Sequence, residues 1–529
     1  MSTHDRSHDP PRSHQAPPPA AMSAAPQGGD AGGDAPAADA GEAGVADRRA
    51  KRDALRARGV EPYPVGVAVR DGLGETHRRY ADSLESGQDS RDFVRVAGRL
   101  LRQRGHGRLV FLVLAEGDDE LQIMCRQDRL GQAGMEAAGE LDVGDWVAAG
   151  GTVARSKRGE LSVDADEVAL IGKSLRPLPD KWHGLRDVET RYRHREVDLA
   201  VNPQARRVLQ HRARVLHALR GELAARDYLE VETPVLHPIP GGANATPFVT
   251  RHEALDTDLY LRVAPELYLK RLVAGGLPRV YEIGRVFRNE GLSPRHNPEF
   301  TMLESYQAYA DYHDMMDLTE QLIRAAATAA TGELTATVGQ REVDLSAPWP
   351  RRRLLELVAE ATGAEGLSLS EPRARFQALC DAHHVAVEPA WGPGKLAVAL
   401  YEKLVEPHLV EPTFVLDYPV EVSPLARRHR DDPALTERFE LLIGGREMAN
   451  AFSELTDPVD QRQRFEAQAA AKAAGDTEAM AVDEAYLAAM ELGMPPMGGL
   501  GIGLDRLVML LAGVESIRDA IAFPTLRPG

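Results

Sequence analysis

In the run Glu299-Phe300-Thr301-Met302-Leu303-Glu304-Ser305-Tyr306, the two-residue period of a β-strand puts Phe300, Met302, Glu304 and Tyr306 on one face. Glu304 is thus a carboxylate set among aromatic and apolar groups, and such a carboxylate calls for a cationic partner. A few residues upstream lies Phe287-Arg288-Asn289-Glu290. Far downstream, Asn450-Ala451-Phe452-Ser453-Glu454 repeats the pattern of a strand with Asn, Phe and Glu on one side. Two acids and an arginine converging on one sheet face suit a ligand that carries both a carboxylate and an amine.

Working outward, Arg288 ends the alternating run from Val280 to Phe287, with Glu282 and Val286 on its side. The loop Gly291 to Asn297 then carries Arg295 toward the next strand. Guanidinium groups at a strand end and in the adjoining loop can clamp phosphates, although each alone is more often a surface ion pair. The segment Phe439 to Glu447 reads as a hairpin around Gly444-Gly445. Pairing Leu442 with Glu447 sets Glu440 and Glu447 on one face, where they hold magnesium or are ordinary solvent-facing acids. Glu447 differs in parity from Asn450, Phe452 and Glu454, so a shared face requires a bulge near Met448-Ala449. The segment Gly498 to Arg506 reads as a glycine-rich loop before an apolar helix, Leu507 to Leu511, with Arg506 at the helix start. It lacks the βαβ setting of a dinucleotide fold, and its glycines let backbone approach a ligand closely. His383-His384 has no metal-like neighbours and receives no role.

The chain divides into four expected parts. Residues 1–48 are Pro, Ala, Gly, Asp, His and Ser with almost no large apolar side chains, the composition of a disordered tail. Residues 49–173 start helical (Arg49 to Arg58) and continue as short strand-like runs: Phe93 to Ala97, Leu109 to Leu114, Leu121 to Cys125, Trp146 to Ala148 and Leu161 to Val163. Gly-containing turns between them suggest a small all-β barrel or sandwich. Arg91, Arg95, Arg99, Arg102, Arg104 and Arg108 run across its first hairpin with Phe111 beyond, which is either a single-stranded nucleic-acid surface of OB type or a solvated arginine face. Residues 174–201 read as a linker. Residues 202–529 form one large domain that opens with an amphipathic helix, Pro203 to Arg226. Its strand-rich pattern is broken by a helical insertion at about 332–411.

Composition sets limits. A chain of 529 residues holds more than one domain. No apolar run approaches a membrane span, and Met1-Ser2-Thr3-His4-Asp5-Arg6 leads into no secretory h-region. Cys125 and Cys380 offer neither a disulfide framework nor a zinc pattern, which fits a reducing cytoplasm. The net charge of -17 argues against indiscriminate nucleic-acid binding, DNA included, by the whole surface.

Taken together, these residues resemble class II lysyl-tRNA synthetases from about Arg49 to Pro528. The first class II motif falls around Glu230 to Pro234. The second is Phe287-Arg288-Asn289-Glu290 followed by Arg295-His296-Asn297-Pro298-Glu299-Phe300, and the third is Gly501 to Arg506. The resemblance implies an α+β fold: a six-stranded antiparallel catalytic sheet flanked by helices, preceded by an OB-fold anticodon domain, in a cytoplasmic homodimer. It implies that L-lysine is activated with ATP to lysyl-adenylate and transferred to the 3′ end of tRNA(Lys), with Mg2+ as cofactor. Carried over residue by residue, Arg288 and Arg506 are the catalytic arginines. Arg288 meets the α-phosphate and lysine carboxylate, and Arg295 and Arg506 the outer phosphates. Phe300 stacks on adenine beside Glu290, His296 and Asn297, and Glu440 and Glu447 hold magnesium. Gly242 and Glu266 take the α-amino group and Asn450 the carboxylate. Glu304, Tyr306 and Glu454 take the ε-ammonium, with Phe452 against the stem. On the barrel, Phe111 and Glu160 fall where the family contacts the anticodon, while Arg102-Gln103-Arg104 and Ala115-Glu116 depart from its pattern.

Within the class, aspartyl- and asparaginyl-tRNA synthetases typically carry Phe-Arg-Asp-Glu where this chain has Phe-Arg-Asn-Glu, and an acidic pocket would repel an acidic side chain. A paralogue that passes activated lysine to another acceptor is the second alternative. Protein-modifying relatives lack the OB domain, however, and lipid-modifying ones add a membrane domain. A catalytically dead RNA-binding module is the third, against which Arg288, Arg506, Glu440 and Glu447 all stand.

Overall fold

The computed structural model describes residues 38–179, 185, 187–473 and 479–528. Most of the expected tail therefore lies outside the described residues, but its last part is helical. One helix runs Ala38–Ala57, starting well before Arg49. The segment is rich in alanine, the strongest helix former. It is also pinned to the barrel: Arg48 donates to the Val143 carbonyl (2.9 Å), and Lys51 pairs with Asp142 (2.7 Å).

Five strands close the barrel: β1 (Asp89–His106), β2 (Leu109–Glu116), β3 (Asp119–Arg126), β4 (Trp146–Arg155) and β5 (Leu161–Gly172). Each contains one of the runs expected from sequence. Their order around the barrel is β1-β2-β3-β5-β4, with β3 and β5 parallel and the other pairs antiparallel. Alternation sends Val94, Val96, Leu112, Leu114, Ile123, Val147 and Val163 inward to one core. The arginine stripe is less bare than its composition implies, because Arg95 pairs with Glu167 (2.7 Å) and Arg102 with Glu120.

The expected linker ends early: residues 180–184 and 186 lie outside the described set, and helices Val188–Arg193 and Arg195–Val201 follow. Charge here does not mean exposure. Arg195 is fully buried, paired with Asp198 (2.8 Å) and donating to the Asp519 carbonyl (2.8 Å), so this stretch packs on the large domain.

The large domain is built on eight strands: β6 (Leu229–Glu230), β7 (Arg279–Phe287), β8 (Glu299–Ala308), β9 (Arg351–Arg353), β10 (Thr413–Leu416), β11 (Arg438–Leu442), β12 (Glu447–Ser453) and β13 (Met497–Gly503). Their order is β9-β10-β11-β12-β13-β8-β7-β6. The six central strands are antiparallel, and a short parallel strand is added at each edge. Helices Pro203–Ala224, Tyr312–Thr331 and Leu504–Ala512 cover one face and share a core with Leu303, Phe439, Ala451 and Ile502. The first of these helices starts well, with Asn202 accepting from the Gln204 amide and Pro203 at a position that needs no donor. The segment expected as an insertion begins with a hairpin, Thr335–Val338 with Arg341–Asp344, and with edge strand β9. Helices Leu354–Thr362, Arg373–Ala382 and Pro393–Leu404 then pack around their own core.

Candidate active site

The sheet face opposite the covering helices opens into a cavity of about 410 Å³. Its floor is set by register. Glu304 on β8 lies across from Gly501 on β13, which lies across from Asn450 on β12. In the next row Tyr306, Gly499 and Phe452 stand side by side. The glycine-rich segment is therefore a central strand, not the loop expected. Its glycines leave the floor clear: a Cβ at Gly499 would lie 1.9 Å from Glu454 Oε1 and 2.6 Å from the Tyr306 ring. The signal was the alternation Gly499, Gly501, Gly503 with Leu500 and Ile502 between, and a two-residue period is that of a strand.

The hairpin β11–β12 carries the bulge that parity required. Leu441 pairs with Ala449 and Leu442 with Glu447, so Met448 is the extra residue. Glu440, Glu447 and Asn450 accordingly all line the cavity. So do the other expected residues of the large domain: Gly242, Glu266, Arg288, Glu290, Arg295, His296, Asn297, Phe300, Glu304, Tyr306, Phe452, Glu454 and Arg506. Phe111 and Glu160 are not brought there. Phe111 sits on the barrel against the Arg104 guanidinium (5.3 Å), and Glu160 directly precedes β5.

The inner end of the cavity is acidic and buried. Glu266, Glu304 and Glu454 are all buried, and the Tyr306 hydroxyl donates to Glu304 (3.1 Å). Burial, then the charge of Glu266, pushes the Glu304 carboxyl up to about 8. Burial also raises Glu454 well above the usual carboxylate range, although Lys270 opposes the shift. Glu454 Oε1 has no hydrogen-bond partner, whereas Oε2 meets the Lys270 ammonium. At the outer end, Arg288 follows β7 with its guanidinium 5.2 Å from the Phe300 ring and its buried Nε without a partner. Burial and the neighbouring Glu447 push Glu440 up to about 7. Burial and the Arg506 charge hold His296 below its ordinary value. Asn297 spends its amide on the backbone, donating to the Glu299 carbonyl (2.6 Å) and accepting from the Thr525 amide (3.2 Å).

Several residues at the site were not found from sequence. Arg438 donates to Glu440 (2.7 Å) and Asn450 Oδ1 (3.2 Å), tying two expected ligand groups together. It shares the parity of Glu440, which was the available signal. Arg262 pairs with Glu282, which also accepts from the Thr233 hydroxyl (2.7 Å) and so links the first motif to β7. Asp505 accepts from the Thr301 amide (2.6 Å) and pairs with Arg212, fixing the helix start that presents Arg506. Arg506 in turn pairs with Glu447 (3.1 Å). Lys270, fully buried on helix Glu266–Ala274, pairs with Glu266 (2.5 Å) and Glu454.

Comparison with known proteins places this geometry. Residues 187–527 match the model of tRNA synthetases class II (D, K and N), and residues 94–171 that of the OB-fold nucleic acid binding domain. The chain is 51% identical over 484 residues to the lysine–tRNA ligase of Moorella thermoacetica, covering 92% of this chain and 98% of that protein. It is 52% identical to the lysine–tRNA ligase of Parasynechococcus marenigrum, over 91% and 96% of the two chains, and 51% identical to that of Xanthomonas oryzae pv. oryzae, over 92% and 96%.

The chain belongs to the lysine–tRNA ligase family.

As a lysine–tRNA ligase it is an ATP-dependent enzyme with a class II catalytic domain and an OB-fold domain for tRNA. In its cavity the buried carboxylates of Glu304 and Glu454 lie beside the Phe452 and Tyr306 rings.

Proposed function

We propose that this cavity joins lysine to AMP and then to tRNA(Lys), with each residue in the role its position fits. The carrying observation is the separation of charge along one cavity, with buried carboxylates at one end and unpaired guanidinium nitrogen at the other. Glu304, Tyr306 and Glu454 receive the ε-ammonium, Phe452 lies along the stem, and Gly242 with Glu266 receives the α-amino group. Gly242 has φ of +91°, and a Cβ there would crowd Glu266 Cβ at 3.2 Å. Asn450, steadied by Arg438, orients the carboxylate.

In the first step a carboxylate oxygen of lysine bonds to the α-phosphorus of ATP as the bond to the β-phosphate oxygen breaks, and pyrophosphate leaves. In the second the tRNA 3′-hydroxyl oxygen attacks the lysyl carbonyl, AMP leaves, and the hydroxyl proton goes to phosphate or water. Neither step demands a strong protein acid or base; placement and neutralisation of charge carry it. Arg288 steadies the α-phosphate, Arg295 and Arg506 the outer phosphates, and Phe300 stacks on adenine with Glu290, His296 and Asn297 around it. Glu440 and Glu447 fit magnesium: both donors are oxygen, and burial together with the neighbouring Glu447 charge raises Glu440. Magnesium bound there supplies positive charge to phosphate oxygens. Arg506, already on Glu447, stays at that end of the cavity.

Phe111 and Glu160 meet the anticodon from the barrel. We also infer a homodimer acting in the cytoplasm. It is supported by apolar side chains left open around the first motif, among them Leu229, Val235 and Leu236, each 41–49% exposed. Sedimentation of the intact chain as a single 57.7 kDa protomer, with full activity, would contradict the dimer.

The test of the site is Arg288→Ala in ATP–pyrophosphate exchange. Loss of a donor at the reacting phosphate should cost about 2.7–4 kcal/mol in rate. Near-normal exchange by a folded variant would overturn the placement.

A further inference from the structure

Three carboxylates meet in the lysine pocket, and one substrate brings only two ammonium groups. Glu266, Glu304 and Glu454 are all buried, and their charges act on one another. The surrounding charged groups are already matched: Arg262 is paired with Glu282, and Arg438 with Glu440. Arg288 is left for the substrate carboxylate and phosphate. Among the described residues, the remaining cation at the pocket is Lys270, whose side chain is fully buried. Its ammonium pairs with Glu266 (2.5 Å) and with Glu454, and lies 5.3 Å from the Phe452 ring and 5.9 Å from the Tyr306 ring. Tyr486, also buried, faces the same group from helix Glu484–Glu491, with Asp483 just beyond it at the helix cap.

We propose that Lys270 is an internal counter-cation that leaves the lysine-bound pocket two negative charges, the number that the α- and ε-ammonium groups of one lysine neutralise. The inference rests on the reading of this cavity as the lysine site. Lys270 is a positioning and specificity residue and takes no part in bond making. It joins the carboxylate assigned to the α-amino group, Glu266, to one assigned to the ε-ammonium, Glu454. It thereby fixes the spacing of the two acids as well as their sum. A neutral residue in its place would leave three carboxylates in a buried pocket, and three like charges there cannot all stay ionised. One more of them than in the wild type would hold a proton until lysine arrives and displaces it.

The variants are Lys270→Met and Lys270→Met/Glu454→Gln, the second restoring the charge count without the cation. Isothermal calorimetry of lysine binding in buffers of different ionisation enthalpy reads the protons released; exchange kinetics read KM for lysine and ATP. Lys270→Met should release about one proton more per lysine than wild type near pH 7. Its lysine KM should rise on the order of tenfold or more and fall with increasing pH, with the ATP KM little changed. The double variant should return proton release to the wild-type value, although its lysine KM stays high. Wild-type proton release and lysine KM in Lys270→Met would overturn the proposal, as would an equal rise in both KM values. If both variants lose the native fold, Lys270 serves packing and the proposal is wrong. Absence of lysine-dependent exchange in wild type would instead remove the pocket assignment itself.

Discussion

The carboxyl of Glu304 is pushed up to about 8 by burial and the charge of Glu266. Burial likewise raises Glu454, Glu266 and Glu440. Such groups keep a proton in the folded protein that the unfolded chain has lost above a pKa of about 4.3. The folded state then binds more protons, so stability falls as pH rises through the raised values. His237 and His296, held below their ordinary value by burial, act in the opposite sense, but only up to about pH 6.5. Between pH 7 and 8.5 the carboxyls dominate. The thermal midpoint of the ligand-free protein should fall across that window, and the rise produced by saturating lysine should grow. A lysine-induced rise that shrinks with pH would show that these acids are not the ones the substrate ionises. Glu304 and Glu454 were legible in the sequence because strand alternation places side chains without further information. Lys270 was not. Its spacing of four from Glu266 on a helix is equally that of an ordinary surface ion pair, and burial is decided by strands that come later in the chain.

At the scale of elements, the strands β8, β12 and β13 make the floor, and the middle one works by what it lacks. Glycine is disfavoured in strands and has low intrinsic preference for them. That is why Gly498 to Gly503 read as a loop, although its alternation with Leu500 and Ile502 carried the strand period. Leu500 and Ile502 face the core, so the strand is held from behind while its open face stays empty. Gly499→Ala should therefore leave the fold intact and press on Glu454 and Tyr306. Overpacking of this kind costs about 1–3 kcal/mol, and it should appear as a raised lysine KM with a smaller change for ATP. An unchanged lysine KM in exchange kinetics would show that the floor is not where lysine lies. The bulge at Met448 was legible for the opposite reason. Two sets of functional side chains disagreed in parity, and only an extra residue reconciles them.

At the scale of the molecule, a barrel for RNA and a sheet for chemistry were both legible, since each rests on local strand patterns and turn residues. The boundaries were not. Charged composition made residues 187–201 look like a linker, whereas Arg195 is buried against Asp198 and the Asp519 carbonyl, far along the chain. The helix Ala38–Ala57 was hidden for a similar reason: its contacts to Val143 and Asp142 on the barrel cannot be seen from its own sequence. We infer that one cavity selects lysine by placing buried carboxylates beyond an apolar stem. ATP–pyrophosphate exchange with lysine, ornithine, norleucine and asparagine tests it most directly. Lysine should drive exchange, and ornithine, one methylene shorter, should lose about 1–3 kcal/mol. Norleucine and asparagine, which leave the acids unpaired, should fall further behind. Exchange with norleucine or asparagine as fast as with lysine would show that the buried carboxylates do not select the substrate.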